Sequence, residues 1–125
     1  MAVALLTVLT ALAMGAGPSA AGKALPPART LVWRAAGGGD HSTEKFSVTG
    51  DWDLDWQYDC SSFGGSSVLI VKIMNPDGTQ SGNLGVDQMG RSDRGVEHYH
   101  IGGTYYLHVL SPCRWHLEVW QLPQG

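Results

Sequence analysis

The sequence predicts an all-β domain: a two-sheet antiparallel β-sandwich with one disulfide, preceded by a signal peptide. Three observations carry this reading. Apolar residues recur at alternate positions, as in Phe46, Val48, Trp52, Leu54, Trp56 and Tyr58, which is the period of a strand with one buried face. No helical period appears beyond the first 21 residues, whereas 17 glycines and several turn clusters suit short strands with frequent reversals. Cys60 and Cys113 both take the parity of the apolar face in tryptophan-rich runs. A second sheet follows because a lone sheet would leave its apolar face in water.

Residues 1–21 read as the signal peptide. Ala2 to Met14 is apolar but too short to span a bilayer comfortably. Gly15, Gly17 and Pro18 break it, and Ser19-Ala20-Ala21 offers small residues to a signal peptidase. No Lys or Arg precedes the run. Residues 22–43 read as a flexible leader holding Pro26-Pro27 and Gly37-Gly38-Gly39-Asp40, with only Leu31-Val32-Trp33 resembling a short strand. Residues 44–125 form the expected sandwich. Within it, Gly50 marks a bend and Ser61 to Ser67 a loop. Val68 to Met74 is almost wholly apolar, which predicts a central strand covered on both faces. Asn75-Pro76-Asp77-Gly78 is a turn: proline presets φ and glycine supplies a positive φ. Gly90 to Gly95 reads as a second polar loop. Val96–Ile101, Tyr105–Leu110 and Arg114–Trp120 complete the strands.

The last two strands suggest a hairpin. Tyr105, Leu107 and Val109 point inward, as do Trp115, Leu117 and Val119. Opposed residues of an antiparallel ladder share a face. A three-residue loop, Ser111-Pro112-Cys113, therefore pairs Val109 with Trp115 and Leu107 with Leu117. On the outer face it opposes His108 to His116 and Tyr106 to Glu118.

The formal net charge is −3, from 8 Lys and Arg against 11 acids that are interspersed. No basic patch points to nucleic acid and no polybasic arm to a membrane. No second apolar stretch is long enough to span a bilayer once the signal is removed. The expected location is secreted or cell-envelope, where two cysteines pair. On the chain-entropy model the Cys60–Cys113 bond contributes about 4 kcal/mol.

Phe46-x-Val48, Gly50-x-Trp52, Trp56-x-Tyr58-x-Cys60, Gly103-x-Tyr105-Tyr106-Leu107 and Cys113-x-Trp115-x-Leu117 resemble small exported β-sandwich domains of uncharacterised bacterial proteins. More loosely they are similar to CUB-like and pre-peptidase C-terminal domains, secreted or disulfide-bearing sandwiches used as accessory modules. The resemblance covers about residues 44–120, and its motifs are core positions. It implies fold and location, and no functional residue.

Three constellations could carry chemistry. Asp51, Asp53, Asp55 and Asp59 form a ladder opposite the tryptophans; carboxylates two apart on a strand line up instead of converging on calcium, so a solvated strand face is expected. His108 and His116, with Glu118, could supply a divalent metal; the bland reading is exposed polar residues. Tyr106 and Trp120 could stack on sugar rings if they face outward, and Trp33 with them; large aromatics more often cover a core. No nucleophile elbow, phosphate loop or dinucleotide fingerprint appears. The sequence therefore leads to a non-catalytic exported structural or interaction module with no cofactor, its partner an envelope protein or a glycan. The alternative is a carbohydrate- or metal-binding domain using Tyr106, His108, His116, Glu118 and Trp120.

Overall fold

The computed structural model describes residues 28–124; the signal-peptide expectation lies outside them. Among the described residues nine strands follow one another: β1 Thr30–Gly38, β2 His41–Ser42, β3 Phe46–Val48, β4 Trp52–Asp59, β5 Ser67–Met74, β6 Val86–Gly90, β7 Ser92–Tyr99, β8 Gly103–Leu110 and β9 Arg114–Gln121. A short 3₁₀ turn, Ser61–Phe63, follows β4. Sheet I has the order β1-β9-β4-β7, and sheet II the order β2-β8-β5-β6 with β3 also beside β8. All pairings are antiparallel. With β2 and β3 counted as one interrupted strand, this is the strand order of a jelly roll, eight strands in two packed sheets.

The core is the inner face of both sheets. Trp52, Leu54, Trp56 and Tyr58 of β4 are buried, as are Trp115, Leu117 and Val119 of β9. Sheet II answers with Leu69, Val71, Ile73, Tyr105, Leu107 and Val109. Trp52 is the hub of one end, with its ring centroid 4.5 Å from Tyr99 and 5.7 Å from both Phe46 and Tyr105. The Cys60–Cys113 disulfide, with Cα atoms 4.7 Å apart, closes the other end. Both cysteines are fully buried.

Four sequence expectations are corrected. The leader is not free of structure: Thr30–Gly38 is a complete edge strand of sheet I. Its glycines misled because Gly37 lies opposite Trp115, and a Cβ there would sit 3.0 Å from the indole. The glycine makes room for the ring. Gly90–Gly95 is likewise not a loop, since β7 starts at Ser92. Gly95 lies opposite Trp56, and its Cβ would come within 2.6 Å of that ring. A glycine on an edge strand covered by a cross-strand aromatic is a recognised packing device.

Third, β5 is central but covered on one face only: Leu69, Val71 and Ile73 are buried, while Val68, Ile70 and Met74 are half-exposed. Fourth, β8 and β9 are not a hairpin. The chain leaves sheet II after Leu110 and enters sheet I at Arg114. Val109 opposes Val71 and His41, not Trp115. The parity argument assigned inward faces correctly, but two strands with inward faces can sit in facing sheets as well as in one. Ser111 fixes the crossing. It is 1% exposed, its hydroxyl donates to Val68 O at 2.7 Å, and it accepts the Cys113 N–H at 3.1 Å.

Two substitutions test this packing. Cys60→Ser should lower unfolding free energy by about 2–5 kcal/mol, measured by denaturant titration against the oxidised wild type. Equal stability would show that the crossing is held without the bond. Gly95→Ala should cost about 1–3 kcal/mol, because the Trp56 ring must shift out of a packed core. A variant with unchanged stability and unchanged tryptophan fluorescence would mean that Trp56 does not lie on the β7 backbone.

Candidate functional site

Strand alternation turns one set of sheet I side chains into solvent, and the strand order arranges them in rows. Ala36, His116, Gln57 and Arg94 make one row across β1, β9, β4 and β7; Arg34, Glu118, Asp55 and Val96 make the next. Trp120, Asp53 and His98 follow on one side. Arg114, Asp59 and Ser92 follow on the other. Two adjoining shallow depressions lie over these rows. One, of about 570 Å³, is lined by Ala36, Gln57, Asp59, Arg94, Arg114 and His116 among others. The second, of about 480 Å³, shares Gln57, Arg94 and His116 and continues to Asp55 and Glu118.

The Asp53 end of this face is internally saturated. Arg29, just ahead of β1, donates to Asp53 at 3.1 Å and to both oxygens of Asp55 at 2.9 and 3.1 Å. Its guanidinium also lies 4.5 Å from the centre of the Trp120 ring, within cation–π range. His98 Nδ1 donates to the other oxygen of Asp53 at 2.6 Å. Asp53 is 3% exposed, so these partners are required to hold its charge. The acid ladder is therefore not a simple solvated face, which corrects the sequence reading. Asp51 does bond His100, at 2.9 Å, in the open.

Glu118 accepts His116 Nε2–H at 3.1 Å and Trp120 Nε1–H at 3.2 Å. The His116 bond, ahead of the Trp120 bond and the nearby charges of His116 and Arg34, holds its carboxyl below the usual range. A depressed carboxyl pKa stabilises the fold above the unfolded-state pKa. That contribution disappears as pH falls through the folded-state value.

The residues singled out from sequence are divided by the sandwich. His116, Glu118 and Trp120 belong to the outer face of sheet I, together with the rows above. Tyr106 and His108 belong to β8 in sheet II. His108 opposes Lys72 and Ser42, and His116 opposes Gln57 and Ala36. The expected His108–His116 pair therefore does not exist, and the two imidazoles cannot share a metal. Among the described residues no group of three or more His, Cys, Asp or Glu side chains could hold a metal ion. His108 instead meets Ser42 Oγ at 3.4 Å. Trp33 packs inward, stacked on Phe46 at 6.0 Å.

Sequence reasoning missed Arg29, Gln57, Arg94 and Arg114. The alternation of β4 marks Gln57 as outward. The arginines join it only through the strand order, which no local pattern encodes. No family model, curated protein or solved structure matches this chain.

Removal of Arg29 tests the saturated end. Arg29→Ala leaves buried Asp53 with His98 alone and should cost about 1–3 kcal/mol, the lower part of the range reflecting a guanidinium one-third exposed. Arg29→Lys should recover only part, since it restores charge without the two-pronged geometry. Denaturant titration of both variants is the measurement, and wild-type stability in Arg29→Ala would exclude this role.

Proposed function

We propose that this protein is an exported, non-catalytic interaction module that engages its partner through the outer face of sheet I, centred on Gln57. Of the partner classes open to an exported module, a glycan suits this face best. The observation that carries the reading is the pair of adjoining depressions floored by Gln57, Arg94 and His116. Planar amide, guanidinium and imidazole groups on a rigid sheet are the groups that recognise polyhydroxylated ligands, and a site built on strands is well ordered. The jelly-roll scaffold is also that of lectin domains, an analogy of fold alone. The disulfide supports an oxidising, extracytoplasmic setting.

Retention on a panel of immobilised neutral and acidic polysaccharides tests the reading. Gln57 is exposed, so Gln57→Trp fills the depression without touching the core. The wild type should be retained on at least one polysaccharide, and Gln57→Trp should bind it roughly tenfold more weakly, the loss of one well-made polar contact plus steric exclusion. Absence of retention across the whole panel, or release of new reducing ends, would overturn the proposal.

A further inference from the structure

We infer that the Arg94–Arg114 end of this face binds an oxyanion, so that the partner is a glycan carrying carboxylate, sulfate or phosphate groups. The inference deepens the proposed function and rests on it.

Its basis is an imbalance between donors and acceptors. Each carboxylate on or beside the face already accepts a bond from the protein. Asp53 is taken by Arg29 and His98, and Asp55 by both arms of Arg29. Both oxygens of Glu118 are taken by His116 and Trp120. Asp59 accepts the Ser61 N–H at 2.8 Å. Asp93 accepts its neighbour's N–H, from Arg94, at 2.8 Å and the Gln88 amide at 3.1 Å.

The strong donors of the larger depression are not so engaged. Among the described residues, the guanidinium groups of Arg94 and Arg114 enter no ion pair. Neither they nor the Gln57 carboxamide donate to any described group. Arg29 shows the contrast on the same face, with two carboxylates within 3.1 Å.

Geometry favours one ligand group touching both arginines. Arg94 is opposite Gln57 and Arg114 is opposite Asp59, on the two strands flanking β4. Their backbones are two strands and two residues apart, about 12 Å at ordinary sheet spacings. Two extended arginine side chains are together long enough to meet on one ligand group across that gap. Arginine forks match planar and tetrahedral oxyanions bidentately. Trp115 and Tyr58 lie beneath the depression, which excludes water from one side of the contact and strengthens it.

The protein as a whole carries a net charge of −3, so a polyanion gains nothing from the bulk field and retention reports a local site. The probes are polygalacturonate, dextran sulfate and a phosphorylated mannan, with unmodified dextran as the neutral arm, each titrated into the oxidised full chain. At least one polyanion should bind, with affinity falling steeply as salt is raised. Arg94→Ala and Arg114→Ala should each weaken it roughly tenfold or more. Arg94→Lys should restore less than half of the lost binding energy, because it keeps charge and loses the fork. Both arginines are exposed, so unchanged melting temperatures separate lost contact from lost fold. The polyanion that binds identifies the source of the oxyanion. Binding of neutral glycan alone, blocked by Gln57→Trp and indifferent to both arginine variants, would overturn the oxyanion while leaving the interaction module standing. Failure of every probe would overturn both.

Discussion

The architecture depends on one crossing. β9 is the last of the described strands, yet it lies inside sheet I between β1 and β4. Without it sheet I has no centre, and Trp115, Leu117 and Val119 leave the core. The strand arrives from sheet II through Ser111-Pro112-Cys113, and Cys113 is bonded to Cys60 at the end of β4, the very strand beside which β9 must lie. The bond therefore sets both the place and the register at which β9 starts. Ser111 backs it by tying the crossing to Val68 and, through its N–H, to Asp40. In a small domain whose strand pairs are mostly remote in sequence, closing such loops is a large entropic cost of folding. A covalent tie at the last of them reduces that cost in the unfolded chain.

What the sequence disclosed and what it withheld divide along the same line. Period-two alternation identifies the inward residues of β4, β8 and β9, because burial acts on each side chain separately. It cannot say which sheet a strand joins. Two inward-facing strands satisfy the same parity whether they are neighbours or lie across the core, which is why Leu107 and Leu117 looked like a cross-strand pair and are in facing sheets. The disulfide was legible because both cysteines share that parity. Glycine was the other source of error. Gly37 and Gly95 read as loop composition, but each lies under a tryptophan of the adjacent inner strand. The signal was the partner ring, and it becomes visible only when the pairing is known.

The same Trp–Gly contacts shape the sheet edges. β7 is one edge of sheet I, opposite β1, and β6 is one edge of sheet II. An unprotected edge invites pairing with another chain. Here Glu97 points to the inner side of β7 and accepts the Trp56 Nε1–H at 3.1 Å. An inward charge at an edge is a recognised obstacle to further strand addition. Gln88 of β6 reaches Asp93 of β7, and Tyr99 of β7 donates to Leu84 O at 2.6 Å. The two edges are thus tied to one another, and burial, with the charge of Glu97, raises the Tyr99 hydroxyl pKa further above its ordinary value, so this tie keeps its proton in alkaline solution as well. Met89 and Val96 remain exposed beside them, but the backbone they flank is guarded.

The guarded flank directs attention to the broad face, and there the distribution of charge matters more than its sum. Asp53 and Asp55 are bonded by Arg29 and His98, and Glu118 by His116 and Trp120, and the Arg29 contacts fix the segment before β1 across the sheet. These bonds are why the acidic side chains of this end, conspicuous in the sequence, contribute less free acceptor capacity at the surface than their number implies. Arg94 and Arg114 stand at the opposite end, where the neighbouring acids are already bonded to backbone or amide donors. A chain with more acids than bases therefore presents a local surplus of donors. Composition could not reveal this, since net charge counts groups without asking which are already paired. The feature arises from strand order, which sets β9 and β7 on either side of β4, and from the Asp59–Ser61 bond, which engages one oxygen of the carboxylate opposite Arg114. Recognition on this face is accordingly a matter of which hydrogen bonds the fold leaves unmade.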